Sequence, residues 1–264
     1  QDGAYLADFL LKKGYRVVGV AKSTSQDKLW RLDYFNILSK ISLAHGDILD
    51  QAFVNRLMKK YQPNEVYNLA GQSRVGKSWA DPAGTFKVNT LAVINLLEAV
   101  RQFSPRARFF QASSAEMYGE AESIITEETT QFAPLNPYGA SKLAAHLTVY
   151  NWRHQYNLFA CRGILFNHES PLRESDMVTK KIISGAARVH LGLIKRIELG
   201  DIEVARDWGF AGDFVEAMWR MLQQDQPRDF VICTGKSLSI KDFIKEVFLY
   251  VGIHNWRRYI QINP

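Results

Sequence analysis

The sequence predicts an α/β fold, a doubly wound parallel sheet followed by a smaller C-terminal lobe. Short runs rich in β-branched and aromatic residues alternate with longer segments whose apolar residues recur at helical spacing. The strand-like runs are apolar throughout, which is typical of a parallel sheet covered by helices on both faces. The length of 264 residues is enough for one large domain with a small lobe.

The first half of the chain holds an opening helix and four strand-like runs. Apolar residues at helical spacing between residues 5 and 11 predict a helix that ends near Gly14. The predicted strands cover residues 16–21, 41–45, 65–69 and 108–112, and the predicted helices between them cover residues 50–61 and 86–103. This order is the one expected of a doubly wound sheet.

The second half continues the alternation. Its predicted helices cover residues 137–156, 177–191, 214–223 and 240–251, and its predicted strands cover residues 159–166, 197–199 and 230–233. Residues 260–264 read as one more strand. Because the chain opens on a helix and closes on a strand, we expect an internal fragment, truncated at both ends and lacking the first strand of its sheet.

Composition excludes several classes of protein. The net charge is +6, but the basic residues lie in scattered pairs, as on solvated helix faces, so we predict no nucleic-acid partner. A mildly basic surface suits a phosphate-rich small ligand instead. No apolar run approaches the roughly 18 residues of a membrane span, and we predict neither a membrane segment nor a metal site. Two cysteines, Cys161 and Cys233, indicate a reducing compartment, so we expect a cytoplasmic protein.

The ends of the predicted strands are the first place to look for a site, because open parallel sheets bind ligands at the carboxyl ends of their strands. Small or polar residues stand at all five of these positions. They are residues 21–25, Asp47, 69–73, 113–116 and 165–169.

Tyr138 and Lys142 form a Tyr-x-x-x-Lys pair on one face of a predicted helix. A phenol has a reference pKa near 10, and a nearby ammonium lowers it by roughly 1–3 units, so the pair can exchange a proton with a sugar hydroxyl. Ser114, at a strand end, can hydrogen-bond the same oxygen, and Glu116 is a candidate second acid or base. The structural alternative is a surface pair on the helix, with Ser114 capping a turn and Glu116 facing solvent.

A strand-end hydroxyl followed by Tyr-x-x-x-Lys resembles the short-chain dehydrogenase/reductases. Longer segments are similar to the GDP-mannose 4,6-dehydratase family, extended members of that superfamily, over nearly the whole chain. These segments are QDGAYLADFLL, EVYNLAGQS, QASSAEMYG, NPYGASK, GILFNHESPLR and RDWGFAGDFVEAMW. The resemblance implies a Rossmann-type dinucleotide-binding domain over residues 1–166. Residues 167–264 would then form mainly a GDP-sugar-binding lobe, with some segments returning to the Rossmann sheet.

The resemblance also implies a role for each matched residue. The catalytic set is Ser114, Glu116, Tyr138 and Lys142. The cofactor-binding set is Gln1, Asp2, Gly3, Lys22, Asp47, Ile48, Leu69, Ala70, Gly71, Gln72, Ser73, Tyr138, Lys142, His168 and Arg173. The substrate-binding set is Asn167, Lys181 and Arg206.

In the reaction that the resemblance implies, GDP-mannose becomes GDP-4-dehydro-6-deoxy-mannose. Tyr138 removes the C4 hydroxyl proton as hydride passes from C4 to the nicotinamide. Glu116 then removes the C5 hydrogen, water leaves C6, and the hydride returns to C6. The cofactor is therefore recycled within one turnover.

Three positions depart from the family pattern. Ser114 replaces a threonine, and Gly71 replaces an alanine. The arginine pair that grips the 2′-phosphate of NADP corresponds to residues 22–24, where Lys22 is the cation. We expect NADP as the cofactor. Because lysine is a point charge and cannot form the bidentate hydrogen bonds of arginine, NAD is the alternative.

Two other functions compete with this interpretation. A GDP-sugar epimerase or reductase would not need Glu116 for elimination across C5–C6. A non-catalytic nucleotide-binding homologue would not need the complete catalytic set. By resemblance, we further expect a homodimer or homotetramer.

Overall fold

The computed structural model describes residues 1–22, 25–120 and 130–263. The chain divides into two compact units. The larger unit comprises residues 2–166 and 212–232, and the smaller comprises Gln1, residues 167–211 and residues from 233 onward.

The described helices and strands alternate along most of the chain. The helices are α1 (Asp2–Lys12), α2 (Gln26–Tyr34), α3 (Gln51–Tyr61), α4 (Val75–Ala80), α5 (Pro82–Phe86), α6 (Ala92–Phe103), α7 (Pro137–Tyr156), α8 (Val178–His190), α9 (Ala211–Leu222) and α10 (Ile240–Tyr250). The strands are β1 (Val18–Ala21), β2 (Ser42–His45), β3 (Glu65–Asn68), β4 (Arg108–Ser114), β5 (Ala160–Leu165), β6 (Asn167–Glu169), β7 (Ile197–Leu199), β8 (Ala205–Phe210), β9 (Phe230–Ile232), β10 (Ser237–Ser239) and β11 (Ile260–Ile262).

The larger unit is built on parallel strands, as predicted. Within the described residues, one sheet has the order β3-β4-β5-β9, and β1 and β2 pair in a second sheet. The facing edges of β1 and β3 line one cavity of about 850 Å³, with Leu6 and Leu10 of α1 along its wall. The carboxyl ends of β3, β4 and β5 meet at one edge of the larger sheet.

Strand β4 separates two apolar layers because successive side chains on a strand point to opposite faces. Phe109 packs with Ala145 and Val149 of α7 on one face. Phe110 packs with residues of α1 and α9, including Leu6 and Met218, on the other. The core therefore holds β4 and α7 against each other, and the ends of these two elements carry the predicted catalytic residues.

The smaller unit departs from the uniformly parallel pairing that we predicted. Its three-stranded sheet has the order β10-β8-β6, in which β8 is antiparallel to β10 and parallel to β6. Strands β7 and β11 form a further parallel pair, and Ile197, Ile244 and Phe248 lie in the apolar core of this unit. Strands β6 and β10 have three residues each and β8 has six, and all three were missed because they carry polar residues and lack an apolar run.

The helix predicted over residues 86–103 is also interrupted. A π-helical turn over Lys87–Leu91 lies between α5 and α6. Such a turn adds one residue without changing the apolar character of the segment, so hydrophobic spacing did not reveal it. Within the described residues, no helix combines the length and the apolar character needed to span a membrane.

Candidate active site

The start of α7 carries Tyr138 and Lys142. Asn136 caps this helix, since its side-chain oxygen accepts a hydrogen bond from the Gly139 amide at 2.8 Å. Pro137 at the first helical position has a backbone angle suited to a helix start. Tyr138 and Lys142 are both buried and lie one turn apart on the same helix face. The surface pair that we considered as the alternative is therefore wrong.

Lys142 is a buried cation at the carboxyl end of β4. Its Nζ atom donates a hydrogen bond to the Ala112 carbonyl oxygen at 2.6 Å. Burial lowers the pKa of Lys142 to about 8, and the negative charge of Asp2, at the start of α1, partly opposes this shift. The structure thus brings Asp2, from the predicted cofactor set, into the electrostatic environment of Lys142.

Ser114 and Glu116 lie at the end of β4 and are tied to the α7 cap. Ser114 Oγ accepts a hydrogen bond from the Glu116 amide at 3.2 Å and caps the 3₁₀ turn Ala115–Met117. Asn136 Nδ2 donates to Glu116 Oε2 at 3.0 Å. Asn136 therefore links the candidate acid or base to the helix that carries Tyr138, a role that the sequence analysis missed.

Gly139 allows this close approach of α7 to the 3₁₀ turn. A Cβ atom at this position would collide with the Glu116 carbonyl oxygen and would lie 3.1 Å from Pro134 Cβ. Glycine is required here for space.

Asn89 organises the predicted nicotinamide-side loop over residues 69–73. Asn89 is the buried residue of the π-helical turn, and its Oδ1 atom accepts a hydrogen bond from the Gln72 amide at 2.8 Å. Its Nδ2 atom donates to the Gln72 carbonyl oxygen at 3.0 Å and to Ser141 Oγ on α7 at 2.9 Å. A Cβ atom at Gly71 would lie 2.9 Å from Asn89 Oδ1, so the glycine that departs from the family pattern fits the loop closely.

The other residues of this loop follow β3 at the same sheet edge. Ala70, Gly71 and Ser73 are exposed, and Leu69 packs partly against the core. The Ala70 amide donates to Asn68 Oδ1 at 3.3 Å. The loop therefore presents backbone groups at the edge where parallel sheets bind ligands.

Lys22 and Asp47 meet beyond the ends of β1 and β2. Lys22 Nζ lies 2.8 Å from Asp47 Oδ2, and both side chains reach solvent. The hydrogen bonds from Lys22 and from the Leu49 amide hold the pKa of Asp47 below its usual range. Ile48 packs partly against the core. Ser23 and Thr24, which flank the predicted phosphate-binding cation, lie outside the described residues.

In the smaller unit, two of the predicted GDP-sugar contacts share a sheet face. Asn167 of β6 pairs with Trp208 of β8, and Arg206 lies two residues before Trp208, so both side chains project from the same face. Arg206 is exposed, and its Nη1 atom donates to the Ala205 carbonyl oxygen at 2.8 Å. Lys181 is exposed on α8.

His168, in β6, and Arg173, shortly after this strand, lie in a segment that is held by side-chain contacts. Gln1 Nε2 donates to the His168 carbonyl oxygen at 2.8 Å, and Ser170 Oγ donates to Gln1 Oε1 at 2.8 Å. Arg173 Nε lies 3.2 Å from Glu169 Oε2. The Gln1 side chain, predicted in the cofactor set, is thus engaged with this segment.

Asp207 is a buried carboxylate that the sequence analysis did not single out. Its oxygens accept hydrogen bonds from the successive amides of Thr234, Gly235 and Lys236, the shortest at 2.7 Å. Gly235 has a φ of +76°, which glycine adopts without strain. The residue next to Arg206 therefore fixes the loop that leads into β10.

Comparisons with known proteins show the family to which this chain belongs. The family model described as GDP-mannose 4,6 dehydratase matches residues 1–262. GDP-mannose 4,6 dehydratase of Homo sapiens is 42% identical over 96% of this chain and 70% of its own length. GDP-mannose 4,6 dehydratase 1 of Arabidopsis thaliana is 44% identical over 100% of this chain and 75% of its own length.

Solved structures show the same fold. UDP-glucose 4-epimerase of Thermus thermophilus, in complex with NAD, is 25% identical with a TM-score of 0.84, covering 99% of this chain and 82% of its own. RMD of Pseudomonas aeruginosa, in complex with NADPH, is 26% identical with a TM-score of 0.80, covering 94% of this chain and 86% of its own. The predicted fold class and resemblance are confirmed, and this chain belongs to the GDP-mannose 4,6-dehydratase family.

Proposed function

We propose that this protein converts GDP-mannose to GDP-4-dehydro-6-deoxy-mannose, with Tyr138, Lys142, Ser114 and Glu116 as its catalytic residues. The observation that carries the proposal is the placement of a buried Tyr-x-x-x-Lys pair and a carboxylate around one helix start. Asn136 contacts both the helix backbone and Glu116, so one residue holds the two groups together.

The residues around Lys142 fit a nicotinamide dinucleotide. A buried ammonium at the carboxyl end of β4 can donate to ribose hydroxyls. Ala70, Gly71 and Ser73 of the neighbouring loop are exposed, and a Cβ built on Gly71 would lie 4.0 Å from Lys142 Nζ. Gly3 lies at the start of α1, and the amides of a helix N-terminus favour a phosphate group. When bound, the nicotinamide accepts hydride from C4 of the sugar and returns it to C6.

Tyr138 acts as the first base. Its phenolate oxygen takes the proton of the C4 hydroxyl, and the Lys142 ammonium one helical turn away stabilises the phenolate charge. The Ser114 hydroxyl, at the strand end, donates a hydrogen bond to the same substrate oxygen. Burial of Tyr138 and Lys142 keeps water away and strengthens the interaction between their charges.

Glu116 acts in the elimination. The C4 ketone acidifies the C5 hydrogen, which the Glu116 carboxylate removes. The same group then protonates the departing C6 hydroxyl, which leaves as water. As hydride returns to C6, C5 takes up a proton from solvent, and Tyr138 releases the C4 hydroxyl proton to solvent. The hydrogen bond from Asn136 Nδ2 orients Glu116 Oε2 for the first of these steps. Because the proposed reaction eliminates water across C5–C6, we class the enzyme as a hydro-lyase.

We assign the GDP moiety to the smaller unit, with Asn167, Lys181 and Arg206 as its contacts. Asn167 and Arg206 project from one face of the β10-β8-β6 sheet, which supports a shared ligand. We assign the cofactor to residues 1–166, with NADP preferred over NAD, and we expect a homodimer or homotetramer.

Replacement of Glu116 by glutamine tests the function. We expect Glu116→Gln to oxidise C4 in a single turnover, with rising absorbance of the reduced nicotinamide, but to slow formation of the 6-deoxy product by roughly 10²–10⁴-fold. Tyr138→Phe should instead prevent the absorbance rise, because C4 oxidation needs the phenolate.

Product analysis separates the competing functions. Wild-type protein that forms the C4 epimer or a fully reduced sugar is an epimerase or reductase. A Glu116→Gln variant that forms the 6-deoxy-4-keto sugar at the normal rate contradicts the assigned elimination step.

A further inference from the structure

The two serines at the end of β4 have different surroundings. Side chains alternate along a strand, so Ser113 lies on the face of Phe109, and Ser114 lies on the face of Phe110. The Phe109 face packs against α7. Ser113 is 2% exposed, and its hydroxyl is directed to this helix, one residue before the catalytic serine.

The partner of Ser113 is His146 of α7. Ser113 Oγ and His146 Nδ1 are 2.8 Å apart, and His146 is itself only 2% exposed. Burial, with a smaller effect from the Arg162 charge, lowers the pKa of His146 to about 3, so the imidazole is neutral across the physiological range. Because neither group is accessible, the pair cannot serve as a nucleophile and base for a substrate.

The backbone at His146 is also bonded to the neighbouring strand, β5. Arg162 Nη1, on β5, donates to the His146 carbonyl oxygen at 3.2 Å. Arg162 and Arg153 both form ion pairs with Asp229. The segment of α7 that carries His146 is thus fixed to β5 and offers a rigid anchor for the end of β4.

His146 is one turn beyond Lys142, and Ser113 directly precedes Ser114. Together with the bond from Lys142 Nζ to the Ala112 carbonyl oxygen, the Ser113–His146 bond joins α7 to β4 at adjacent residues of the strand. These bonds determine how far Ser114, at the end of β4, lies from Tyr138 and Lys142 on α7.

We propose that Ser113 and His146 are positioning residues, whose hydrogen bond sets the end of β4, with Ser114, against the Tyr138–Lys142 helix. This role rests on the proposed function. It predicts an effect on the chemical step and little effect on binding, because neither residue is placed in a ligand contact. A displacement of about 1 Å at reacting groups is enough for a roughly 10²-fold change in rate.

Three variants test the proposal. Ser113→Ala removes the hydroxyl and leaves the His146 imidazole unpaired. The double variant Ser113→Ala with His146→Leu replaces both partners by apolar groups, which is much less destabilising than leaving one buried partner unsatisfied. Thr148→Val is the matched control, because Thr148 lies on the same helix and donates only to its own turn, to the Ala144 carbonyl oxygen at 2.8 Å.

The measurements are kcat, KM for GDP-mannose, cofactor dissociation constant and melting temperature. We expect kcat to fall about 10- to 100-fold in Ser113→Ala and in the double variant, while KM and cofactor affinity stay within about twofold. The double variant should regain much of the melting temperature without regaining kcat, and Thr148→Val should match the wild type.

Each other outcome has a definite meaning. A double variant that regains kcat together with its melting temperature shows a role in stability alone and overturns the proposal. The proposal is also overturned if the wild type turns over GDP-mannose and Ser113→Ala keeps the wild-type kcat. A wild type without turnover of GDP-mannose contradicts the proposed function, and the positioning role falls with it.

Discussion

At the scale of single residues, buried charge decides what the site can do. Lys142 stays close to the β4 carbonyl end in a water-poor environment, which lowers its pKa to about 8, whereas the Asp2 charge acts in the opposite direction. Lys22, by contrast, is exposed and shares its charge with Asp47. The charge of Lys142 therefore changes with pH near neutrality, whereas Lys22 binds a phosphate group only weakly.

The Lys142 pKa predicts an alkaline limit to activity. The ammonium stabilises the Tyr138 phenolate, so kcat/KM should fall as pH rises through about 8. Asp2→Asn removes the charge that supports the ammonium, and we expect it to move this limb to lower pH. Asp8→Asn, on the same helix but paired with the exposed Lys12, is the control. An alkaline limb that does not move in Asp2→Asn would contradict the coupling.

The lowered pKa of Lys142 affects stability and activity in opposite directions as pH rises. The folded-state pKa of Lys142 lies below the unfolded value near 10.4, so the unfolded chain binds more protons between about pH 8 and pH 10. This group therefore makes the folded state more stable as pH rises through that window, while activity is being lost.

The Lys22–Asp47 pair predicts a weak preference for NADP over NAD. Asp47 competes with a 2′-phosphate for the ammonium, and an exposed ion pair contributes only about 0–1 kcal/mol. We expect a preference of about tenfold or less in affinity, reduced to about one in Lys22→Ala. Titration of both cofactors measures it, with Lys12→Ala, from the exposed Lys12–Asp8 pair, as control. A wild type that binds NAD more tightly than NADP would refute the NADP assignment.

At the scale of elements, the site is a contact between the start of α7 and the end of β4. Asn136, Gly139 and the Ser113–His146 bond each bear on this contact. Asn89 links loop 69–73 to α7, because it bonds both the Gln72 amide and Ser141 Oγ. Small displacements of one element should therefore change catalysis more than folding.

Gly139→Ala tests the closeness of this contact. Alanine favours a helix by about 1 kcal/mol over glycine, but its Cβ would meet the Glu116 carbonyl oxygen. We expect kcat to fall at least about tenfold, because α7 must move away from the turn that carries Glu116. Gly76→Ala, on α4, is the control. Among the described residues, no atom outside its chain neighbours and its own helix backbone lies within 4 Å of a Cβ built there, so this variant should leave kcat unchanged. Normal kcat in Gly139→Ala would show that the contact tolerates the shift.

At the scale of the whole molecule, a buried ion network ties parts of the larger unit that are distant in sequence. Asp229, just before β9, accepts hydrogen bonds from Arg153 of α7 at 2.7 and 3.0 Å and from the Arg162 amide of β5 at 2.8 Å. Burial alone would raise the pKa of Asp229, but the bonds from Arg162 and Arg153 outweigh it and hold the pKa below its usual range.

Asp229→Asn should therefore destabilise the fold. Removing one partner leaves two buried guanidinium groups without their counter-ion, at a cost of about 3–5 kcal/mol near pH 7. Because the folded-state pKa is depressed, the wild type has this stability above about pH 4 and loses it as pH falls through the lower, folded value. Denaturant unfolding from pH 7 to pH 3 measures both effects.

Glu216→Gln, from the exposed pair with Arg220, is the control and should change stability by less than about 0.5 kcal/mol. Equal stability of Asp229→Asn and wild type at pH 7 would contradict the role of the network.

The sequence by itself determined the α/β class, the long helix α7 and the parallel strands of the larger unit. These follow from local patterns, because hydrophobic spacing and β-branched runs report directly on which face of an element is buried. It also determined the family, because the GILFNHESPLR and RDWGFAGDFVEAMW segments are long enough to be specific. The roles of Tyr138, Lys142, Ser114 and Glu116 stay predictions from those patterns.

Only the tertiary structure decided how the site is held together. Asn89 and His146 lie in segments without a distinctive pattern. Asn136 and Asp207 lie in the NPYGASK and RDWGFAGDFVEAMW segments, which indicate the family but not these contacts. Each of the four side chains acts on residues distant in sequence. Strands β6, β8 and β10 were missed for a related reason. They form because they pair with neighbouring strands, and their local sequence has no apolar run. Hydrogen bonds between distant segments depend on where the chain returns in space, and local sequence patterns do not record that position.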